Sequence, residues 1–325
     1  LENYDEVYRA VAFFIFKHGK IDFLESNNEY WLERDAMLRT EFNITSGFQN
    51  ADIPAIKYKS KMKAYYEAAG IPVARYHIVD NEKGCKAFIK SVGYPVIVKP
   101  DNGVGASSTY KFNSDEDLKF FLENQREENV SYIMEEFITA EVTSYDAIID
   151  SNGKPNTAGD SVYYIQKSVP ADVKKAGRAT VKSFGVKSRF VHFEFFRLTA
   201  DQEIGKKGDI VALEVNMRPA GGNSPDMFNF ANSTNVYKIW ADMIAFDKSE
   251  KAVGEHFYCG FIGRRDAKEY ALSMDDLRAK YAENIKMDQR VPDALSGAMG
   301  NQMLLVNFST KRELDAFYKE AMLAK

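Results

Sequence analysis

The chain has 325 residues, 45% of them hydrophobic, which is enough for two or three packed subdomains. Its 43 basic and 47 acidic side chains give a net charge of −4 without any block of like charge, so small-molecule partners are favoured over nucleic acids or membrane surfaces. The two cysteines, Cys85 and Cys259, are too few and too far apart in sequence for a disulfide framework or a Cys-ligated zinc site, and they favour a reducing cytoplasm.

Neither a membrane span nor a leader peptide is predicted. No apolar stretch approaches the ~20 residues that a membrane-spanning helix needs. The first residue is Leu1 rather than methionine, and no basic and apolar signal pattern precedes it. We therefore expect the chain to begin inside a longer polypeptide.

The first 55 residues have the pattern helix, strand, helix. Helical spacing of apolar residues covers 4–17 and 29–42, and the short apolar run 21–24 between them predicts a strand. This order is typical of one piece of an open α/β sheet.

A second unit is predicted after a break in the pattern at Ile53-Pro54. A helix over 60–69 ends at Gly70-Ile71-Pro72, because glycine caps a helix and proline cannot continue it. Strands and helices then alternate as far as Phe137, which predicts a small α+β lid. The predicted elements are a strand from 73, a helix over 83–92, a strand over 95–99, a glycine-rich loop, a strand, a helix over 114–124 and a strand over 130–137.

Antiparallel strands are predicted in the part of the chain that follows Glu141. Alternating runs cover 143–149 and 161–166, and Asn152-Gly153 is typical of a hairpin turn. A second hairpin is predicted over 191–198 and 209–215. Helices are predicted over 236–244, 274–281 and 311–322.

Two of these strands contain the strongest chemical signal. Glu194 and Glu214 lie among Phe, Leu and Val, where a carboxylate is costly unless it is paired or bound to metal. With Asn216 they make three oxygen ligands, which suit a hard ion such as Mg²⁺. The strands alone leave open the alternative that alternation points both carboxylates to solvent.

A lysine and a glycine-rich loop form the second signal. Lys99 ends an apolar strand, and the loop after it predicts a phosphate cradle through its backbone N–H groups and small hydroxyl residues. The spacing matches neither the P-loop nor the dinucleotide fingerprint, and an ordinary flexible hairpin stays open as the alternative. The candidate phosphate contacts in this loop are Gly103, Gly105, Ser107 and Ser108.

The third signal is an acidic strand end that is a candidate hinge between lid and body. Its backbone would meet the edge of an adenine, and a carboxylate after it would meet ribose hydroxyls; a solvated sheet edge is the alternative. The residues concerned are Glu135, Glu136, Phe137, Ile138 and Glu141.

The histidines divide into one candidate and three others. His192 lies two residues before Glu194 and shares its side of the strand, so it is a candidate for substrate contact or for packing. His18, His77 and His256 show no spacing typical of metal ligands.

The order of these signals from about residue 59 to residue 222 resembles the ATP-grasp superfamily. The run 93–99 is similar to the family's strand with a phosphate-contacting lysine, Lys99, and Lys59 lies where the family has its other ATP lysine. Glu135–Ile138 resembles the adenine hinge, and Glu141 the ribose-binding acid.

The resemblance also assigns roles to the later residues. Glu194, Glu214 and Asn216 occupy the family's metal-ligand positions, and Arg218 resembles the arginine that steadies the transferred phosphate or the acyl phosphate. The pairing of His192 with Glu194, the run 216–222 and the segment 26–47 resemble the amino-acid ligase branch of carboxylate–amine ligases.

The resemblance implies an α/β (α+β) protein of the ATP-grasp fold, in which two α+β subdomains clasp ATP after part of a Rossmann-like domain. The implied division is a partial pre-ATP-grasp α/β domain at 1–55, a lid subdomain at 56–140, a C-terminal metal-binding subdomain at 141–247 and its extension at 248–325.

The implied activity is an ATP-dependent ligase that forms an amide bond through an acyl phosphate on amino-acid-like substrates, with ADP as a product. ATP and Mg²⁺ are the expected cofactors, with Mn²⁺ as an alternative ion. Small carboxylates and amines are the expected partners, and a homodimer is compatible with the resemblance. The alternatives are a bicarbonate-phosphorylating enzyme or subunit like carbamoyl-phosphate synthase or biotin carboxylase, and a nucleotide-binding module without catalysis.

Overall fold

The computed structural model describes residues 1–103, 108–159, 164–250 and 254–325. The chain divides into two compact units, of which unit 1 contains Leu1–Pro155 and Ala171–Pro219 and unit 2 contains Asn156–Pro170 and Ala220–Lys325. Within the described residues, no helix combines the length and the apolar character that a membrane crossing requires.

Both units contain helices and strands, and unit 1 begins with helices alone. The helices are α1 Tyr4–His18, α2 Leu32–Glu41, α3 Ile53–Lys57, α4 Lys59–Ala68, α5 Glu82–Val92, α6 Asp115–Asn124, α7 Ala171–Ser183, α8 Ser224–Asn232, α9 Val236–Phe246, α10 Met274–Lys280, α11 Asp293–Met299 and α12 Lys311–Ala321. The strands are β1 Tyr76–Ile78, β2 Val96–Pro100, β3 Tyr110–Phe112, β4 Tyr132–Glu136, β5 Ala140–Ile149, β6 Pro155–Gly159, β7 Tyr164–Ile165, β8 Arg189–Leu198, β9 Ile210–Asn216, β10 Tyr258–Arg264, β11 Ile285–Arg290 and β12 Gln302–Phe308.

The first segment of unit 1 contains helices α1 and α2 but no strand between them, so the strand predicted over 21–24 is wrong. A strand needs a neighbouring strand for its backbone groups. Here the carbonyl of Asp22 accepts from the Ser46 hydroxyl, and the carbonyl of Leu24 accepts from Arg39 Nη1. Side chains therefore satisfy these carbonyls in an irregular segment.

The segment predicted to be the lid forms an antiparallel sheet of unit 1 in the order β1-β4-β2-β3, which we name the lid sheet. Its strands and helices agree with the predicted ones to within about two residues, apart from the short β1 and β3. The Ser114 side chain accepts from the Asp117 N–H, which is the predicted N-cap of α6. Apolar residues of α5 and α6 pack on one face of the sheet and form its core, with Cys85, Leu118 and Phe121 at its centre.

A second antiparallel sheet of unit 1 contains β5, β8 and β9. Helices α4 and α7 contact this sheet. Helix α7 was not predicted; its Gly177 lies against the Tyr145 ring so closely that an added Cβ would approach the ring to 2.1 Å. This close approach, which the sequence pattern does not reveal, sets α7 on β5.

Unit 2 has an antiparallel sheet in the order β11-β12-β10-β7. The predicted helices α9, α10 and α12 are present, and capping boxes at Ser273 and Thr310 begin α10 and α12. Leu277, Leu304 and Phe317 lie in the apolar core beneath this sheet.

Candidate nucleotide and metal site

One buried aspartate brings the two predicted ATP lysines of unit 1 into one region. Lys59 is the first residue of α4, and Lys99 lies in β2, two residues before Asp101. The Asp101 carboxylate accepts from the Ser60 N–H at 2.7 Å and from its hydroxyl at 2.7 Å, and the Asp101 carbonyl accepts from the Lys59 N–H at 2.9 Å. Asp101 therefore caps the start of α4 from the end of β2.

A short ion-pair cluster lies behind Lys99. We name Lys63, Lys99 and Glu135 the lysine cluster: Lys63 Nζ lies 2.6 Å from Glu135 Oε1, and Lys99 Nζ lies 2.6 Å from Glu135 Oε2. Burial opposes ionisation of Glu135, but the charges of Lys99 and Lys63 outweigh it and lower its pKa to about 2. The carboxylate thus holds Lys99 in place at the lid sheet.

The other residues of the predicted hinge differ in exposure. Glu136 binds Arg75, whose Nε and Nη2 donate to its Oε2 at 2.9 and 2.7 Å. Phe137 is exposed, and Lys111 lies over its ring at 4.1 Å, whereas Ile138 is buried. Glu141 is exposed on β5 opposite Arg197. Phe137 is therefore accessible to solvent, while the Glu135 carboxylate is already paired with two lysines.

The predicted metal ligands face one another across β8 and β9. We name Glu194, Glu214 and Asn216 the carboxylate cluster. Glu194 pairs directly with Glu214, and Phe195 pairs with Ala212, so Leu213 is an extra residue that forms a bulge at this point. His192 pairs with Asn216. Two carboxylates directly opposite each other destabilise a sheet unless a cation lies near them.

One lysine forms a long ion pair with this cluster. Lys59 Nζ lies 3.5 Å from Glu214 Oε1, and the Glu214 side chain is only 16% exposed. Burial raises the pKa of Glu214; Lys59 opposes this shift and Glu194 adds to it. Burial also acts to raise the pKa of Glu194, but the hydrogen bond and charge of His192 leave it lowered. Three oxygen donors with residual negative charge fit a hard divalent ion such as Mg²⁺.

His192 lies between two acids. Its Nδ1 is 2.7 Å from Asp146 Oδ1 and its Nε2 is 3.6 Å from Glu194 Oε1. Burial favours the neutral ring, but Asp146 and Glu194 outweigh burial and raise the pKa of His192 to about 10. The Ser144 hydroxyl donates to the other oxygen of Asp146 at 2.6 Å. The ring is thus a charged group that orients Glu194.

Arg218 follows the carboxylate cluster on the turn after β9. Its Nη2 donates to Asn216 Oδ1 at 3.1 Å, and its Nε lies 3.7 Å from Glu29 Oε2. Behind the turn, the buried Arg189 donates from Nε and Nη2 to the Met217 carbonyl at 3.2 and 2.8 Å. Arg189 Nη2 also binds Glu25 at 2.9 Å. Arg189 therefore fixes the backbone next to Arg218.

Most of the predicted site residues lie within unit 1. The Gly103 carbonyl accepts from Lys59 Nζ at 2.9 Å, and Ser108 has a φ of 58°. Gly105 and Ser107, the other predicted phosphate contacts, lie outside the described residues.

Sequence reasoning missed Lys63, Asp146 and Arg189. Lys63 carried a usable signal, because it lies four residues after Lys59 and so on the same face of α4. Asp146 and Arg189 carried none, since the pairing of β5 with β8 and the turn after β9 bring them to the site.

Comparison with known proteins finds similar sequences and similar structures. No protein-family model matches the chain. The L-arginine-specific L-amino acid ligase of Bacillus subtilis is 25% identical over 239 residues, which are 66% of this chain and 56% of that protein. The match therefore spans little more than half the length of this relative.

Two solved structures extend the comparison to nearly the whole chain. An L-amino acid ligase from Bacillus licheniformis has a TM-score of 0.71 at 15% identity, covering 98% of this chain and 83% of that one. A biotin carboxylase domain of Hydrogenobacter thermophilus 2-oxoglutarate carboxylase, solved as a dimer with MgADP, ADP and bicarbonate, has a TM-score of 0.64 at 15% identity and covers 98% and 77%. The predicted ATP-grasp fold and the resemblance to amino-acid ligases are confirmed.

Proposed function

We propose that this chain is an ATP- and magnesium-dependent carboxylate–amine ligase for amino-acid-like substrates. The observation that carries the proposal is the facing pair Glu194 and Glu214, with Asn216 beside it and Lys59 3.5 Å from Glu214. Such an arrangement suits an enzyme that neutralises a polyphosphate with a metal ion and lysines. The similarity to proteins named L-amino acid ligases supports the same reaction class.

The residues have separate roles in this proposal. Glu194, Glu214 and Asn216 would hold Mg²⁺, with Mn²⁺ as an alternative ion, and the ion would offset charge on the transferred phosphoryl group. Lys59 and Lys99 bind phosphate oxygens together with the loop residues Gly103, Gly105, Ser107 and Ser108. The backbone of Glu136–Ile138 contacts the adenine, and Glu141 contacts the ribose.

Two steps complete the reaction. A substrate carboxylate oxygen attacks the γ-phosphorus, the bond to the β-phosphate oxygen breaks, and ADP leaves. The amine nitrogen of a second substrate then attacks the carbonyl carbon of the acyl phosphate, phosphate leaves, and the nitrogen loses a proton to give the amide. Arg218 stabilises the anionic centre in both steps, and His192 orients Glu194.

Three further points complete the proposal. The region 56–140 acts as the nucleotide lid and 141–247 as the metal-binding subdomain. In sequence, 1–55 precede these two regions and 248–325 follow them. The enzyme works in the cytoplasm. It forms a homodimer, by analogy with the biotin carboxylase domain of Hydrogenobacter thermophilus, whose crystal structure contains a dimer.

A bicarbonate-phosphorylating enzyme is the second candidate, because the biotin carboxylase domain that contains bicarbonate also has a TM-score of 0.64. A nucleotide-binding module without turnover is the third. A module without turnover would have no need of two facing, partly buried carboxylates, because like charges opposite each other destabilise a sheet.

One assay separates the three candidates. The purified chain is mixed with MgATP, and ADP release is followed by enzyme coupling in parallel wells with pooled pairs of amino acids, with bicarbonate, and with no second substrate. Nucleotide binding is measured on the same sample by calorimetry. A well without magnesium serves as the control for metal dependence.

Each outcome assigns one candidate. ADP release that requires amino acids, together with a product of joined mass, supports the ligase. Release that requires only bicarbonate overturns it in favour of the second candidate. Tight ATP binding without release under any condition overturns both enzymes and leaves the module.

A further inference from the structure

A cluster of three different metal-ligating side chains lies at the edge of the lid sheet in unit 1. His77 on β1, Asp80 in the following loop and Cys85 on α5 place one ligand atom each within 4.8 Å of one another. His77 Nε2 lies 2.9 Å from Asp80 Oδ1. His77 and Asp80 are partly exposed and Cys85 is buried, so the cluster joins the surface to the core.

The backbone around the cluster is shaped to bring these groups together. The Asp80 carboxylate lies so close to Gly84 that an added Cβ would be 2.3 Å from its Oδ1, and only glycine allows this approach to the first turn of α5. Arg126 donates to the carbonyls of Asp80 and Val79 at 2.6 and 3.2 Å and holds the loop.

The His77 ring is held as well. It stacks on Phe88 of α5 with ring centroids 6.0 Å apart and an interplanar angle of 20°. This stacking fixes the plane of the ring while Nε2 faces Asp80. His77 is thereby held by its ring contact and the backbone of Asp80 by Arg126, while Cys85 is buried.

We propose that His77, Asp80 and Cys85 form a zinc site on the lid, a grouping that sequence spacing argued against and that the fold brings together. One imidazole nitrogen, one carboxylate oxygen and one thiolate sulfur are the donors that Zn²⁺ takes, and a fourth position is left for water because His77 and Asp80 lie at the surface. A hard ion such as Mg²⁺ is disfavoured here, since it does not select thiolate. Binding releases the thiol proton of Cys85 to solvent.

The site joins two elements of the lid across their interface. A bound ion would link β1 to α5, and β1 pairs with β4 such that Tyr76 lies opposite Glu135 of the lysine cluster. Zinc therefore stabilises the strand next to the one that holds Glu135. None of the three zinc ligands belongs to the carboxylate cluster, so the zinc site is independent of the proposed ligase activity.

Cobalt titration of the full chain, without nucleotide or magnesium, tests the site. Co²⁺ replaces Zn²⁺ at such sites, and coordination to a thiolate produces a charge-transfer absorption in the near ultraviolet. We expect this absorption to saturate at one ion per chain and to be displaced by zinc. Competition with a chromogenic chelator then gives the zinc affinity.

Three variants make the test specific. Cys85→Ser should remove the charge-transfer absorption, and His77→Gln, a substitution at a partly exposed site, should weaken zinc binding by more than about 10-fold, since loss of an outer-shell partner alone costs about 10–100-fold. Cys259→Ser, which removes the other buried cysteine, should match the unmodified chain. An absorption that fails to saturate at one ion, or that survives in Cys85→Ser, overturns the proposal. So does zinc affinity unchanged in His77→Gln.

Discussion

Two charged clusters of unit 1 compensate carboxylates that are removed from solvent, wholly or in part, to different degrees. In the lysine cluster, one carboxylate has two lysines at 2.6 Å, and the pKa of Glu135 falls to about 2. In the carboxylate cluster, two carboxylates face each other, the nearest lysine contact is 3.5 Å, and the pKa of Glu214 is raised by burial.

The difference is the one expected between a structural ion-pair cluster and a candidate metal site. In the lysine cluster the carboxylate is fully compensated by two lysines, so Glu135 stabilises the fold and positions Lys99. The negative charge of the carboxylate cluster is only partly compensated within the protein. Binding of a divalent cation is therefore more favourable there than at the lysine cluster. The following changes test this contrast from the largest expected effect to the smallest.

Glu214→Gln should lower ADP release by about a thousandfold or more, since a metal ion contributes several kcal/mol to phosphoryl transfer. The unfolding midpoint should stay equal or rise, because the change removes a buried charge with a raised pKa. Coupled ADP release and denaturant unfolding measure the two effects. Glu203→Gln, at an exposed acid of unit 1, is the control, and normal ADP release by Glu214→Gln would remove the metal assignment.

Glu135→Gln should lower the free energy of unfolding by about 3–5 kcal/mol, because it leaves Lys63 and Lys99 buried without their common partner. Glu203→Gln is the control: Glu203 is 77% exposed, its partner Arg75 is 40% exposed, and the expected loss is about 0–1 kcal/mol. Urea unfolding compares the two variants. Equal losses would contradict the role assigned to the lysine cluster.

Arg189→Lys should reduce kcat for ADP release by about 10–100-fold while the KM for ATP changes little. Lysine keeps a charge near Glu25 but cannot reproduce the two donations to the Met217 carbonyl, so Arg218 loses its fixed position. Steady-state kinetics measure the changes in kcat and KM separately. Arg197→Lys on the same strand, where the partner Asp172 is at the surface, should leave kcat unchanged; equal effects of the two changes would argue against the positioning role.

The contribution of Glu135 to the free energy of unfolding should be lost in a defined range of acid pH. The folded pKa of Glu135 is lowered from 4.5 to about 2, so its contribution to stability is complete above pH 4.5 and is lost as the pH falls towards 2. Glu135→Gln should lack this part of the acid dependence, which urea unfolding between pH 5 and pH 2 measures on both proteins. Parallel curves for the two proteins would show that Glu135 is not held ionised.

Local signals predicted much of the fold. Strands β2, β4 and β8 are apolar runs, and helix α6 begins at the Ser114 cap. Each of these signals involves only residues close together in sequence, so the elements can be predicted without tertiary information. The strand expected over 21–24 failed because a strand depends on a partner, and here side chains of Ser46 and Arg39 take up its carbonyls. Helix α7 was missed because its placement depends on Gly177 against Tyr145.

In the candidate site, too, the sequence predicted the residue types but not their arrangement. Glu194, Glu214, Asn216 and Arg218 could be named from the sequence, because their residue types in two apolar strands resemble a known pattern. Their geometry could not, since the direct pairing of Glu194 with Glu214 depends on the bulge at Leu213.

The sequence by itself named the candidate residues for binding phosphate and metal, since side-chain chemistry and order along the chain are local properties. Only the tertiary structure decided which charges are neutralised. Glu135 and Glu214 are the same residue type at similar strand positions, yet strand register and the placement of α4 give one two lysines and the other a facing carboxylate. Long-range pairing sets these distances, and the energies of buried charges depend on them.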